Sequence, residues 1–149
     1  MTIYKLPKLA DDWELLSYRL QENEVFVKYF PDGVQAGFPS PAEDYKEKRI
    51  SLDAKYLSKP ESTYLIKAKG YSMLSTIFPE DIIIVRSDLE VKDNEIGLFS
   101  VNNTDFTVKR LDKKNNVLLA DNKDFKNIVI KEDDVILCLG RAMHIIRNL

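Results

Sequence analysis

The sequence predicts a mostly β fold preceded by a short N-terminal arm, and three observations carry that expectation. From residue 46 onward, six or seven short β-prone runs recur at turn spacings of roughly ten residues. Turn-forming residues separate them, notably Lys69-Gly70, Pro79-Glu80, Asn102-Asn103 and Asn115-Asn116. The first 36 residues differ in character, holding one amphipathic stretch and then a proline-containing segment.

The elements follow in order. Asp11 or Asp12 as an N-cap, with Trp13, Leu16 and Leu20 at helical spacing, predicts a helix in the arm. Val25 to Phe30 reads as a short strand stopped by Pro31-Asp32-Gly33. Gln35 to Tyr45 is a linker by composition, because Pro39 and Pro41 push Phe38 and Ser40 toward extended conformations. Ala36-Gly37 just ahead leaves the backbone open to close approach. Thr63 to Ala68 is a strand. Asp81 to Arg86 is another, and its continuous β-branched run predicts burial on both faces. Glu95 to Val101 and Thr104 to Leu111 flank Asn102-Asn103 as a hairpin, and Val117 to Ala120, Ile128 to Ile130 and Val135 to Ile146 complete the set.

Composition narrows the function classes. The 149 residues suit one domain, with 22 basic and 24 acidic side chains giving a net charge of −2. Residues 1–36 carry four basic and six acidic groups, which leaves 18 of each sign for residues 37–149. Neither part is a basic nucleic-acid module. A single cysteine, Cys138, rules out an intramolecular disulfide and a multi-cysteine metal framework. The single histidine, His144, leaves carboxylates, hydroxyls and lysines as the reactive groups. Both Cys138 and His144 are expected in the core or an interface, with the thiol buried and inert. Asp121-Asn122 and Lys131 to Asp134 read as solvated turns, and no metal or cofactor motif is present. With no secretory signal and no apolar run near the ~18 residues of a membrane helix, the expected location is the cytoplasm.

Two residues then stand out. Lys109 is the one lysine set within an apolar strand, Phe106-Thr107-Val108-Lys109-Arg110-Leu111. A lysine serves as general base only when neutral, and lowering its pKa from ~10.4 to ~7 costs about 4–5 kcal/mol, which desolvation can supply. Ser72 follows Lys69-Gly70 at the abrupt end of a strand, where a turn can expose a hydroxyl and leave backbone N–H groups free for an oxyanion. Taken singly, each is also an ordinary turn serine or strand lysine. Asp81 is expected to cap the Pro79-Glu80 turn, and Met73 to pack.

Three motifs occur in order: Ala36-Gly37-Phe38-Pro39-Ser40-Pro41-Ala42-Glu43-Asp44-Tyr45; Lys69-Gly70-Tyr71-Ser72-Met73 with Phe78-Pro79-Glu80-Asp81-Ile82-Ile83-Ile84-Val85; and Phe106 to Leu111. Together they resemble the UmuD branch of the LexA/UmuD self-cleaving serine proteases, peptidase S24. The resemblance covers about residues 34–149. It implies a LexA/UmuD C-terminal-domain-like β fold of short, strongly curved strands, spanning residues 37–149, with residues 1–36 as an arm removed or regulated by self-cleavage. It also implies Ser72 as nucleophile, Lys109 as general base, Ala36–Gly37 as the bond cut, and backbone support for the oxyanion at Ser72 and Met73. The implied partners are a second copy of the chain, the RecA–single-stranded-DNA filament as activator, and a UmuC-like Y-family translesion DNA polymerase in the SOS response. Two features depart from that pattern: Tyr71 stands where the family carries an acidic residue, and the arm is longer than is usual for UmuD. An S24-fold binding module that regulates a partner through an uncut arm is the second expectation. A signal-peptidase-like enzyme acting on other chains is the third.

Overall fold

The computed structural model describes residues 7–16, 26–29 and 48–149. The arm contributes β1 (Trp13–Leu16). β2 (Phe26–Tyr29), β3 (Lys48–Ser51) and the short helix α1 (Leu52–Tyr56) follow. The remaining strands are β4 (Thr63–Ala68), β5 (Ile82–Arg86), β6 (Ile96–Val101), β7 (Thr107–Asp112), β8 (Val117–Leu119), β9 (Ile128–Val129) and β10 (Ile136–Ile146). The linker 35–45, with Ala36 and Gly37, lies outside the described residues.

The chain divides into two compact units, one combining the arm up to Tyr18 with Glu61–Leu149, the other running from Arg19 to Pro60. In the smaller unit β2 and β3 pair antiparallel, Phe26 opposite Ser51. Ser51 then caps α1 by accepting the Ala54 N–H at 3.3 Å.

The larger unit is a curled eight-stranded antiparallel sheet in the order β1-β4-β5-β10-β6-β7-β8-β9, so the mostly β expectation holds. β5 carries the run Ile82-Ile83-Ile84-Val85 between two neighbours, and Ile83, Ile84 and Val85 are all buried, which requires cover on both faces. Ile66, Ile83, Val85, Leu98 and Val108 form the main core with Trp13, Met73 and Ile77. A second cluster joins Val91, Phe99 and Leu118. At the β6–β7 connection Asn102 and Asn103 both take positive φ (51° and 61°), the geometry of a type I′ hairpin turn and the reason Asn serves there.

Two expectations are corrected. Trp13 to Leu16 is a strand, not the start of a helix: it pairs antiparallel with β4, Trp13 opposite Ala68 and Leu16 opposite Leu65. Tertiary pairing overrides the helical spacing because it seats the Trp13 ring in the core. Cys138 is exposed. β10 shifts register between Cys138 and Gly140, which breaks the alternation that would have buried the thiol.

Gly140 sits in that irregularity against the backbone of β5. A Cβ there would lie 2.5 Å from the Arg86 carbonyl oxygen, a contact no side-chain rotation relieves. Gly140→Ala is therefore expected to lower stability by about 1–3 kcal/mol, read as a reduced urea midpoint at unchanged m-value.

Candidate active site

The segment from Lys69 to Asp81 leaves β4, turns through Ser72 and Met73, and re-enters the sheet as β5. Met73 is 1% exposed and anchors the turn in the core, while its carbonyl accepts the N–H groups of Thr76 (2.9 Å) and Ile77 (2.8 Å). Asp81 closes the segment as expected, accepting the Phe78 N–H at 2.8 Å. Arg147, beyond the end of β10, donates from Nε to Asp81 Oδ1 at 2.7 Å and lies over the Phe78 ring at 4.5 Å. Its guanidinium, helped by the Phe78 N–H, holds the buried Asp81 carboxyl below the ordinary carboxylate range against the cost of desolvation.

The middle of the segment is tied to β7. The Asn122 N–H donates to the Ser72 carbonyl at 3.1 Å, and Asn122 Nδ2 to the Tyr71 carbonyl at 2.9 Å. The neighbouring Asp121 accepts the Thr76 hydroxyl and is held by the Arg110 fork, Nε and Nη2 each at 2.8 Å. Burial works to raise the Asp121 carboxyl, but the Arg110 and Thr76 hydrogen bonds bring it below its ordinary value. Arg110 thus fixes the turn that carries Ser72 while its neighbour Lys109 points elsewhere on the same strand. Asp121-Asn122 is a structural clamp, where the sequence suggested a solvated turn.

Ser72 is 4% exposed and Lys109 6%. Lys109 Nζ donates to Thr107 Oγ1 at 3.0 Å and to the Val108 carbonyl at 3.1 Å. Opposite it on β6 stands Gly97, which presents no side chain. Burial pushes the Lys109 amine below the ordinary lysine range, and the charge of Asp12 works in the other direction. Ser72 Oγ donates to Asp12 Oδ2 at 3.1 Å. Among the described residues, the serine hydroxyl and the lysine amine are related through Asp12, with no direct hydrogen bond between them. Tyr71 is exposed, and its carbonyl accepts the Asn122 Nδ2 hydrogen bond.

Asp12 is the residue that sequence reasoning placed wrongly. Its spacing to Trp13 and Leu16 reads as a helix cap, and nothing local distinguishes a cap from a group reaching a serine 60 residues away. No cluster of His, Cys, Asp and Glu among the described residues could hold a metal ion, and no helix among them is long and apolar enough to cross a membrane.

The model of the Peptidase S24-like family matches residues 21–143. Protein ImpA of Salmonella typhimurium is 36% identical over 83 residues, 55% of this chain and 57% of that protein. Protein MucA of Escherichia coli is 31% identical over 110 residues, 72% of this chain and 75% of the relative. The LexA repressor of Mannheimia succiniciproducens is 36% identical over 120 residues, 77% of this chain and 55% of the repressor. The chain thus spans little more than half the length of ImpA and of LexA.

The buried amine is expected to make a measurable difference to stability. Because Lys109 titrates lower when folded than when unfolded, the cost of burying its charge is full below the folded pKa and fades as pH rises toward the ordinary lysine value. Lys109→Met should raise the urea midpoint at neutral pH, with the advantage over the natural chain shrinking in alkaline buffer. An unchanged or lowered midpoint at neutral pH would show that the amine carries no desolvation cost.

Proposed function

Because the chain belongs to the peptidase S24 family, we propose that it cuts itself at Ala36–Gly37 with Ser72 as nucleophile and Lys109 as general base. The observation that carries this reading is a lysine amine, buried on β7 and lowered in pKa, facing the same carboxylate as a buried serine hydroxyl. Neutral lysine takes the Ser72 proton as Oγ attacks the Ala36 carbonyl carbon. The Ser72 and Met73 N–H groups, which have no acceptor among the described residues, suit the resulting oxyanion. The Ala36–Gly37 C–N bond then breaks, and the proton on Lys109 passes to the Gly37 amine, leaving an ester at Ser72. Water then attacks the ester carbonyl, giving a proton to Lys109. The Ala36 carbonyl–Ser72 Oγ bond breaks, and Lys109 returns that proton to Oγ, releasing the Ala36 carboxyl end and restoring both groups.

The cut divides the chain functionally into residues 1–36 and 37–149. Ala36 offers a small acyl side, and Gly37 lets an extended strand approach the nucleophile without a Cβ in the way. Similarity to ImpA, MucA and LexA supports a cytoplasmic role in the SOS response. In that role the RecA–single-stranded-DNA filament stimulates cleavage, and the shortened chain serves, as a homodimer, a UmuC-like translesion DNA polymerase. An uncut regulatory module is the second reading, favoured by Tyr71 at the family's acidic position.

Cleavage decides between them. Incubation in alkaline buffer, where more of the lysine is neutral, or with RecA, single-stranded DNA and a nucleotide, should give an intact-mass fragment beginning at Gly37. Ser72→Ala and Lys109→Ala should each lower the rate by at least ~1,000-fold. Gly37→Lys should block the cut with the site intact, since a cation would have to enter beside Lys109. A wild-type chain that stays whole under both conditions would leave the uncut-module reading.

A further inference from the structure

The arm reaches both strands that carry the site. On one side, the Phe106 N–H donates to the Lys8 carbonyl and the Ala10 N–H to the Phe106 carbonyl, each at 2.8 Å, at the entrance to β7. On the other, β1 lies along β4, and the Asp12 carbonyl accepts the N–H groups of Lys69 (2.8 Å) and Gly70 (3.3 Å). Glu14 pairs with Lys69 at 2.8 Å. Residues 8–16 thus touch both strands in two pieces, Leu9 bridged to Phe106 and Trp13–Leu16 paired with β4, joined by a turn at Asp11-Asp12. A protease of this design reads its substrate as an extended strand added to a sheet edge.

Asp12 lies in that turn, just ahead of β1, and its contacts oppose the chemistry. Ser72 can be activated only if its proton goes to the lysine, yet that proton is engaged by the Asp12 carboxylate. The same negative charge favours the protonated form of Lys109, the form unable to act as base. Gly70 is what admits the carboxylate: a Cβ on residue 70 would lie 2.5 Å from the Asp12 Cβ.

We propose that residues 8–16 are a resident segment that occupies the β4 edge with β1 and, through Asp12, restrains the Ser72 hydroxyl, so that this segment must leave before Ala36–Gly37 can be cut. The proposal rests on the Ser72–Lys109 reading above. The docked strand carries its own means of release. Trp13 is 6% exposed, and its Nε1–H has no hydrogen-bond partner among the described residues, so the seat is imperfect. Substrate entry and arm departure become one exchange, and an activator need only bind the chain better with the strand undocked.

Two full-length variants test this from different directions. Asp12→Asn removes the charge and leaves an amide of nearly the same shape. Gly70→Ala keeps the carboxylate and displaces it sterically. Each should self-cleave roughly tenfold faster than wild type at neutral pH without an activator, the scale expected from losing one charge-assisted hydrogen bond. Trp13 is the only tryptophan in the chain, so its emission reports docking directly and should shift to the red in Gly70→Ala. If wild type is cut at Ala36–Gly37 in alkaline buffer and neither variant is faster, the resident segment is no restraint, while the Ser72–Lys109 reading survives. If neither wild type nor variant is cut in alkaline buffer, that reading fails and the restraint fails with it.

Discussion

A lysine amine enclosed in a β-sheet is the constraint from which the rest of this structure follows. Water normally keeps a lysine charged, and removing it costs several kcal/mol unless the proton leaves or a counter-charge arrives. On β7 the amine is left with one hydroxyl and one carbonyl as hydrogen-bond partners, neither of which carries charge. The flanking Val108 is fully buried, Gly97 stands across the strand pair, and the core continues into Leu98. The nearby carboxylate of Asp12 opposes the shift that burial produces.

The serine is held by different means. Its turn has few backbone ladder contacts of its own and is fixed by three charged groups outside it: Arg147 through Asp81, Arg110 through Asp121, and Glu14 through Lys69. The first two couple the turn to strands of the same sheet, so the Ser72 position is set by the framework that sets Lys109. The third couples it to the arm. Membership of the S24 family, together with this division of labour, is what the self-cleavage proposal rests on.

Much of the fold was legible because the sheet strands announce themselves locally. Thr63 to Ala68 is a β-prone run bounded by Gly70, Ile82 to Val85 is β-branched throughout, and Asn102-Asn103 can adopt positive φ. Ser72 and Lys109 were also visible, the lysine as an anomaly in an apolar strand and both through the motifs around them. The arm was not. Trp13, Leu16 and Leu20 satisfy a helical period, and only pairing with β4, some 50 residues away, turns Trp13 to Leu16 into a strand. Asp121-Asn122 looked solvated for the same reason: a clamp between distant segments has no signature in the sequence near it. Cys138 escaped because a register shift in β10 breaks the alternation on which the burial argument relied.

The central claim is that Lys109, lowered by burial, activates Ser72, and a fluorophosphonate probe tests it without dependence on where the chain is cut. Labelling of the full-length protein should map to Ser72, and its rate should rise with pH through a single ionisation below the ordinary lysine value of about 10.4. In Lys109→Ala that ionisation should vanish and labelling should fall to a low, pH-independent rate. Labelling that maps elsewhere, or a pH profile identical in Lys109→Ala, would contradict the account.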